Sequence, residues 1–189
     1  VTELRDPLGS MGNDAALACL SDKPRLLFDY FKQLFAQVTN PSIDSIREEV
    51  VMSLECLIGP EGNLLENNPE NARRLRVQNP ILSNKELRAI RNISNANWKT
   101  KTIDLSYLKK DGLSAMKNRL HEVCEEAESA IHDEYSFIIL SDKNTSQSHM
   151  SLSSLLACSS IHHYLTERQL RSKIGIVIET GEAREVHHH

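Results

Sequence analysis

Apolar positions follow two different patterns along this chain, and the change comes at Lys101. Beyond it the spacing alternates between strand and helix. Thr102-Ile103-Asp104-Leu105 reads as a strand. Asp111 then opens a long helix with Leu113, Met116, Leu120, Val123, Ala127 and Ile131 along one face. Ser136-Phe137-Ile138-Ile139-Leu140 is a near-continuous apolar run that stops at Ser141-Asp142, the pattern of a strand buried on both faces. A helix around Leu152 to Leu165 follows, and the strand Lys173 to Glu179 ends at Thr180-Gly181. Strand, helix, strand, helix, strand implies parallel pairing through right-handed crossovers, an α/β fold.

The first half is punctuated differently. Asp6 to Asp14 is dense in turn formers and predicts an irregular loop. A helix is expected next, capped by Ser21 or Asp22, with Pro24 in its first turn and Leu26, Leu27, Tyr30, Phe31, Leu34 and Phe35 on one face. Thr39-Asn40-Pro41 ends it, because a residue before proline is pushed out of the helical region. Ile46 to Leu54 predicts a short helix, with Ser45 and Glu48 as a capping box. Gly59-Pro60-Glu61-Gly62-Asn63 is a turn, Asn68-Pro69 a helix start, and Ser83 with Glu86 a second capping box. Short helices joined by proline turns suit a connector that wraps a neighbour. The expected division is a helical, loop-rich connector over residues 1–99 and a β/α part over residues 100–189.

Composition narrows the function classes. A formal charge of -4, with cations scattered, gives no basic field for nucleic acid or anionic lipid. Aromatics are only 5% of residues, so the core must rest on Leu, Ile and Val. Cys19, Cys56, Cys124 and Cys158 share no metal-ligand or redox spacing, which suits reduced thiols in a reducing compartment. No apolar run approaches the roughly 20 residues that cross a bilayer. The N-terminus Val1-Thr2-Glu3 has neither a start methionine nor a signal-peptide profile and reads as a cut edge. His187-His188-His189 is short for a purification tag, and native sequence stays open.

Parallel sheets place ligands beyond the carboxyl ends of their strands. That directs attention to Ser141-Asp142-Lys143-Asn144 and to Thr180 through Glu185. A free-standing α/β enzyme or ligand-binding module would use these loops, above all Asp142 and Glu182. Polar turns end nearly every strand, however. Gly9 to Asp14 lacks the lysine of a phosphate loop and follows no clear strand, so a packing turn fits better. His162 and His163 are adjacent on a helix, about 100° apart, and do not form a chelating pair. Cys158, four residues before His162, sits inside a helix, a poor place for an exposed nucleophile. Glu122, Glu125, Glu126 and Glu128 read as a solvated face. Spacing alone therefore gives an α/β chain without a convincing active site.

Longer blocks carry more information. Pro7-Leu8-Gly9-Ser10-Met11-Gly12-Asn13-Asp14, then Arg25 through Pro41, resemble the central domain of glutamate synthases. The likeness continues through Ile43 to Glu49, Met52-Ser53-Leu54, Gly59 to Leu65 and Pro80 to Ser83, and returns at Gly175 through His188. Ser42 departs from the family, which usually has a second proline there. The resemblance implies a non-catalytic domain built like an incomplete (β/α) barrel. In such enzymes an amidotransferase domain releases ammonia from glutamine. The ammonia passes through an internal tunnel to an FMN barrel that makes glutamate from 2-oxoglutarate, with electrons supplied by an iron–sulfur cluster. The implied partners of this chain are those amidotransferase and FMN domains, with no cofactor of its own. The compartment implied is the cytoplasm, or a plastid or mitochondrion for an organellar parent. Two segments dense in Gly, Pro and Asn are the expected tunnel or domain-interface surfaces: Gly9, Ser10, Met11, Gly12 and Asp14, and Gln37, Thr39, Asn40, Pro41 and Arg47.

Overall fold

The computed structural model describes residues 16–32, 46, 52–63, 65–95 and 97–189. They fall into two compact units, one of Leu54–Glu182 and one from the described parts of Val1–Ser53 with Ala183–His189.

The larger unit is organised by β5 (Phe137–Ser141), whose five residues are all buried. It pairs in parallel with β3 (Thr100–Asp104) on one side and β7 (Gly175–Glu179) on the other. The expected alternation and parallel pairing are therefore present. Among the described residues the sheet does not close, and β3 and β7 are its edges. Because side chains alternate along a strand, β5 must satisfy two apolar layers.

One layer packs on α2 (Gly112–His132) and α3 (Ser154–Glu167). Ile103, Ile138 and Leu140 meet Val123, Cys124 and Ala127 of α2 and Ala157, Ile161 and Leu165 of α3. The last three recur every fourth residue, so they share one helix face. Leu113, expected on the inner face of α2, is 62% exposed instead, and the buried residues of the helix begin only at Val123.

The opposite layer was not foreseen. Ile139 and Val177 are covered by Leu87 and Ile90 of α1 (Asn84–Arg91), with Ile58 and Leu75 beside them. Those last two come from an antiparallel ribbon of β1 (Cys56–Ile58) and β2 (Leu75–Val77). A second ribbon joins β4 (Ser106–Leu108) to β6 (His149–Ser151). The ribbon β1–β2 lies so close to the sheet that a Cβ on Gly175 would stand 2.9 Å from the Gly59 nitrogen and from Phe137. Glycine at 175 permits that approach.

Local signals explain most helix ends. Ser83 and Glu86 form the expected capping box of α1, with the Glu86 carboxylate accepting from the Ser83 N–H at 2.7 Å. Asn68 caps a 3-10 turn at Pro69–Ala72. α2 and α3 both end in Schellman turns. Tyr135 N–H donates to Ala130 and Leu170 N–H to Leu165, at 2.9 and 2.8 Å. The left-handed positions are Glu134 and Gln169, with φ of 61° and 60°. Glu134→Gly is therefore expected to raise stability by about 0.5–1 kcal/mol. An unchanged or lower urea midpoint would show that this backbone carries no strain.

The smaller unit corrects one expectation. In place of a helix running on from Pro24, the described residues hold a 3-10 turn, Leu27–Phe31, and Lys32 is already extended. The buried residue is Phe28, off the expected apolar face, while Tyr30 and Phe31 are 49% and 68% exposed. Phe28 turns inward because the His188 ring stacks on it at 4.5 Å. Lys32 reaches Glu185 at 3.6 Å. Leu34, Phe35 and most of the helix expected at Ile46 to Leu54 lie outside the described residues.

Candidate functional site at the carboxyl ends of the strands

The three parallel strands stop in register. Asp104 lies opposite Ser141, and Ser141 opposite Glu179. This row, with the loops that follow it, is where an α/β sheet presents ligand-binding groups. Both loops singled out in the sequence meet here.

Each carboxylate in the cluster already has donors from the chain itself. The Glu179 carboxylate accepts from the Arg91 guanidinium at 2.7 Å and from the Ser141 hydroxyl at 2.6 Å. Asp142 accepts from the Thr180 hydroxyl and, at 3.0 Å, from the Gly181 N–H. Glu182 sits at the N-terminus of α3 and accepts from the Ser154 N–H at 2.9 Å and from both Ser153 and Ser154 hydroxyls. Negative charge is favoured there by the aligned peptide dipoles. Asp104 accepts from the Ser106 N–H and hydroxyl and from the Asn144 amide, each at 2.9 Å.

Burial pushes the Asp104 carboxyl up, but the Asn144 and Ser106 hydrogen bonds and the Arg119 charge together hold it below the usual carboxylate value. An acid held ionised in this way is unsuited to donate a proton at neutral pH. Behind it, Arg119 of α2 donates through Nε to the Asp104 carbonyl at 3.1 Å and through Nη1 to Glu122 and Glu126. Glu128 accepts from the Tyr164 hydroxyl at 2.8 Å and pairs with Arg168 at 3.3 Å. Of the expected solvated run, Glu128 thus ties α2 to the end of α3, while Glu126 holds Arg119 of its own helix, and only their partners' positions reveal it.

The remaining candidates are quieter. Burial pushes the Cys158 thiol up, with Arg171 pulling back only in part, and burial likewise raises Cys124. Thiols so shifted are poor nucleophiles. His162 does not serve Cys158 as a base, since its Nδ1 accepts from Arg171 Nε at 3.1 Å. Among the described residues no group of three or more His, Cys, Asp or Glu is placed to hold a metal ion. Gly9, Ser10, Met11, Gly12, Asp14, Gln37, Thr39, Asn40, Pro41 and Arg47 all lie outside the described residues. The residues that sequence reasoning missed here are Arg91 and Arg119. Arg91 ends a capped helix, a weak signal, and Arg119 gave none.

Fold and cluster together define a two-sided α/β domain whose strand ends are tied up by its own side chains. Comparison with known proteins gives the family. The model for the glutamate synthase central domain matches residues 1–189, and the chain belongs to that family. It is similar to glutamate synthase (NADH) of Schizosaccharomyces pombe, 51% identical over 186 residues, covering 97% of this chain and 9% of that protein. It is 45% identical over 188 residues to the glutamate synthase (NADPH) large chain of Bacillus subtilis, covering 100% of this chain and 12% of the relative. The chloroplastic ferredoxin-dependent glutamate synthase of Spinacia oleracea is 37% identical over 186 residues, covering 97% and 11%. The chain thus spans 9% to 12% of the length of these curated relatives. Among the described residues no helix is long and apolar enough to cross a membrane.

Proposed function

We propose that this chain is the non-catalytic central part of a glutamate synthase, joining the glutamine amidotransferase and FMN-binding domains and contributing to the ammonia tunnel between them. The parent makes glutamate from glutamine and 2-oxoglutarate, in the cytoplasm or in a plastid or mitochondrion. One observation carries the non-catalytic half of this reading. The strand-end carboxylates, where a barrel enzyme keeps its working groups, are satisfied by Arg91, Ser141, Thr180, Ser153 and Ser154. That also weighs against a free-standing module built on Asp142 and Glu182, because a ligand would have to displace bonds already made.

FMN and the iron–sulfur cluster are assigned to other parts of the parent. Cluster ligands are thiolates gathered around one site. Cys124 is buried and Cys158 half-buried, both thiols are raised above their ordinary value, and the described cysteines form no such group. The present residues do not fit the cluster. Residues 1–99 act in this reading as the connector part and residues 100–189 as the β/α part, with Gly9 to Asp14 and Gln37 to Arg47 at the tunnel or domain interface.

The test is coupling in the whole enzyme. Asn40→Ala or Arg47→Ala should lower glutamate synthase turnover about tenfold while glutaminase turnover stays within about twofold. A parallel fall in both would assign these segments to packing alone and remove the tunnel role.

A further inference from the structure

A second gathering of polar groups lies at the amino end of β7, away from the strand-end cluster. There a cleft of about 820 Å³ is lined by β1, the last turns of α3 and the segment that leads into β7. A volume of that order suits a small organic ligand. Leu57, Ile58 and Ile176 give the lining its apolar part, and Leu57 is 49% exposed. Arg74, Arg171 and His162 give it donors.

Charge in the cleft is unbalanced. Arg74 and Arg171 are its cations, and Glu61 is its acid. Glu61 pairs with Arg74 at 2.7 Å. Arg171 instead spends its Nε on His162 Nδ1 at 3.1 Å and its Nη1 on the Ile174 carbonyl at 2.9 Å, both neutral acceptors. Among the described residues its Nη2 has no acceptor. Because His162 Nδ1 accepts, the ring proton sits on Nε2 and supplies another donor. Arg74 Nε is buried without a hydrogen-bond partner, the one such side-chain atom among the described residues. An unpaired buried donor is costly, and a small shift toward an oxygen in the cleft would relieve it.

We propose that this cleft binds a small monocarboxylate with an apolar body. The carboxylate lies on Arg171 Nη2 and His162 Nε2, and the carbon skeleton covers Leu57, Ile58 and Ile176. Two guanidiniums and one carboxylate leave a single positive charge, which a monoanion neutralises and a phosphate dianion overshoots. The apolar lining rewards a hydrocarbon tail and offers an inorganic ion nothing. The site is largely pre-formed, since Glu61 N–H donates to the Ser172 carbonyl at 2.7 Å and joins two of its lining segments. Nothing in this inference depends on the tunnel role proposed above.

Equilibrium dialysis of the full-length enzyme against labelled 4-methylpentanoate tests it. Saturable binding is expected with a Kd of about 1 mM. The neutral amide 4-methylpentanamide and inorganic phosphate should each bind at least about tenfold more weakly. Gln169 is an exposed residue of the lining and allows a charge test. Gln169→Glu should weaken binding about threefold and Gln169→Lys tighten it by a similar factor. These two variants make the same demand on the backbone, so opposite shifts report charge at this cleft, and binding elsewhere in the enzyme would not respond. Arg171→Met should remove binding. Equal affinity for the amide, tighter binding of phosphate, shifts of one sign at residue 169, or no saturable binding in the millimolar range would each overturn the proposal. Any of these failures leaves the coupling test on Asn40 and Arg47 standing.

Discussion

Ile139→Ala is expected to cost about 3–4 kcal/mol of folding free energy, the largest single-site loss anticipated in this chain. Ile139 stands at the centre of β5 and is fully buried against Leu87, Ile90 and Val177. Removing its outer carbons subtracts transfer free energy and opens a cavity between two backbones that hydrogen bonds hold in place. α1 and the β1–β2 ribbon meet the sheet at this position, so their docking should loosen first. Ile139→Val keeps the branched shape and should cost only about 1 kcal/mol. Urea unfolding of both variants checks the pair. Equal and small losses would mean that the second layer is not packed on the sheet.

Arg119→Ala should cost about 2–3 kcal/mol. Its side chain is only 17% exposed and binds the end of β3 to α2 through the Asp104 carbonyl. Truncation leaves that carbonyl and Glu126 short of a donor. Glu122, at 55% exposure, contributes little because water screens it. The loss should depend on pH in a defined direction. Asp104 has a depressed native pKa, so its stabilising contribution is fully present above the ordinary carboxylate value of about 3.9. It disappears as pH falls through the lower native value. The gap between wild type and Arg119→Ala should therefore narrow below about pH 4. A gap that stays constant into that range would remove the electrostatic part of the account.

The sequence was most legible where one segment carries its own pattern. β5 announces itself as an apolar run, α3 by Ala157, Ile161 and Leu165, and α1 by the reciprocal Ser83–Glu86 cap. The second apolar layer was hidden for a physical reason. β1 and β2 are three residues each, too short to show a period, and each exposes its middle residue, Leu57 or Arg76. They become strands because the face of Ile139 and Val177 needs covering, which is a tertiary demand. The 3-10 turn at Leu27–Phe31 failed the same way, since the ring that turns Phe28 inward lies at His188.

The candidate cluster was half legible. Asp142 and Glu182 were found by the rule for strand ends, and they do lie in one cluster. Their chemistry was not readable, because the groups that satisfy them are hydroxyls and amides without any motif. Resemblance to a family supplied what spacing could not, through the blocks at Arg25 to Pro41 and Gly175 to His188. The family match over residues 1–189 agrees with it.

The central claim is that this chain serves glutamate synthesis without performing it. Glutaminase activity, glutamate synthase activity, flavin and iron should be measured on the 189-residue chain beside its full-length parent. The account predicts a colourless, inactive chain from an active flavoprotein. Turnover of either reaction, or a stoichiometric cofactor in the chain alone, would contradict it and return Asp142 and Glu182 to the centre of the problem.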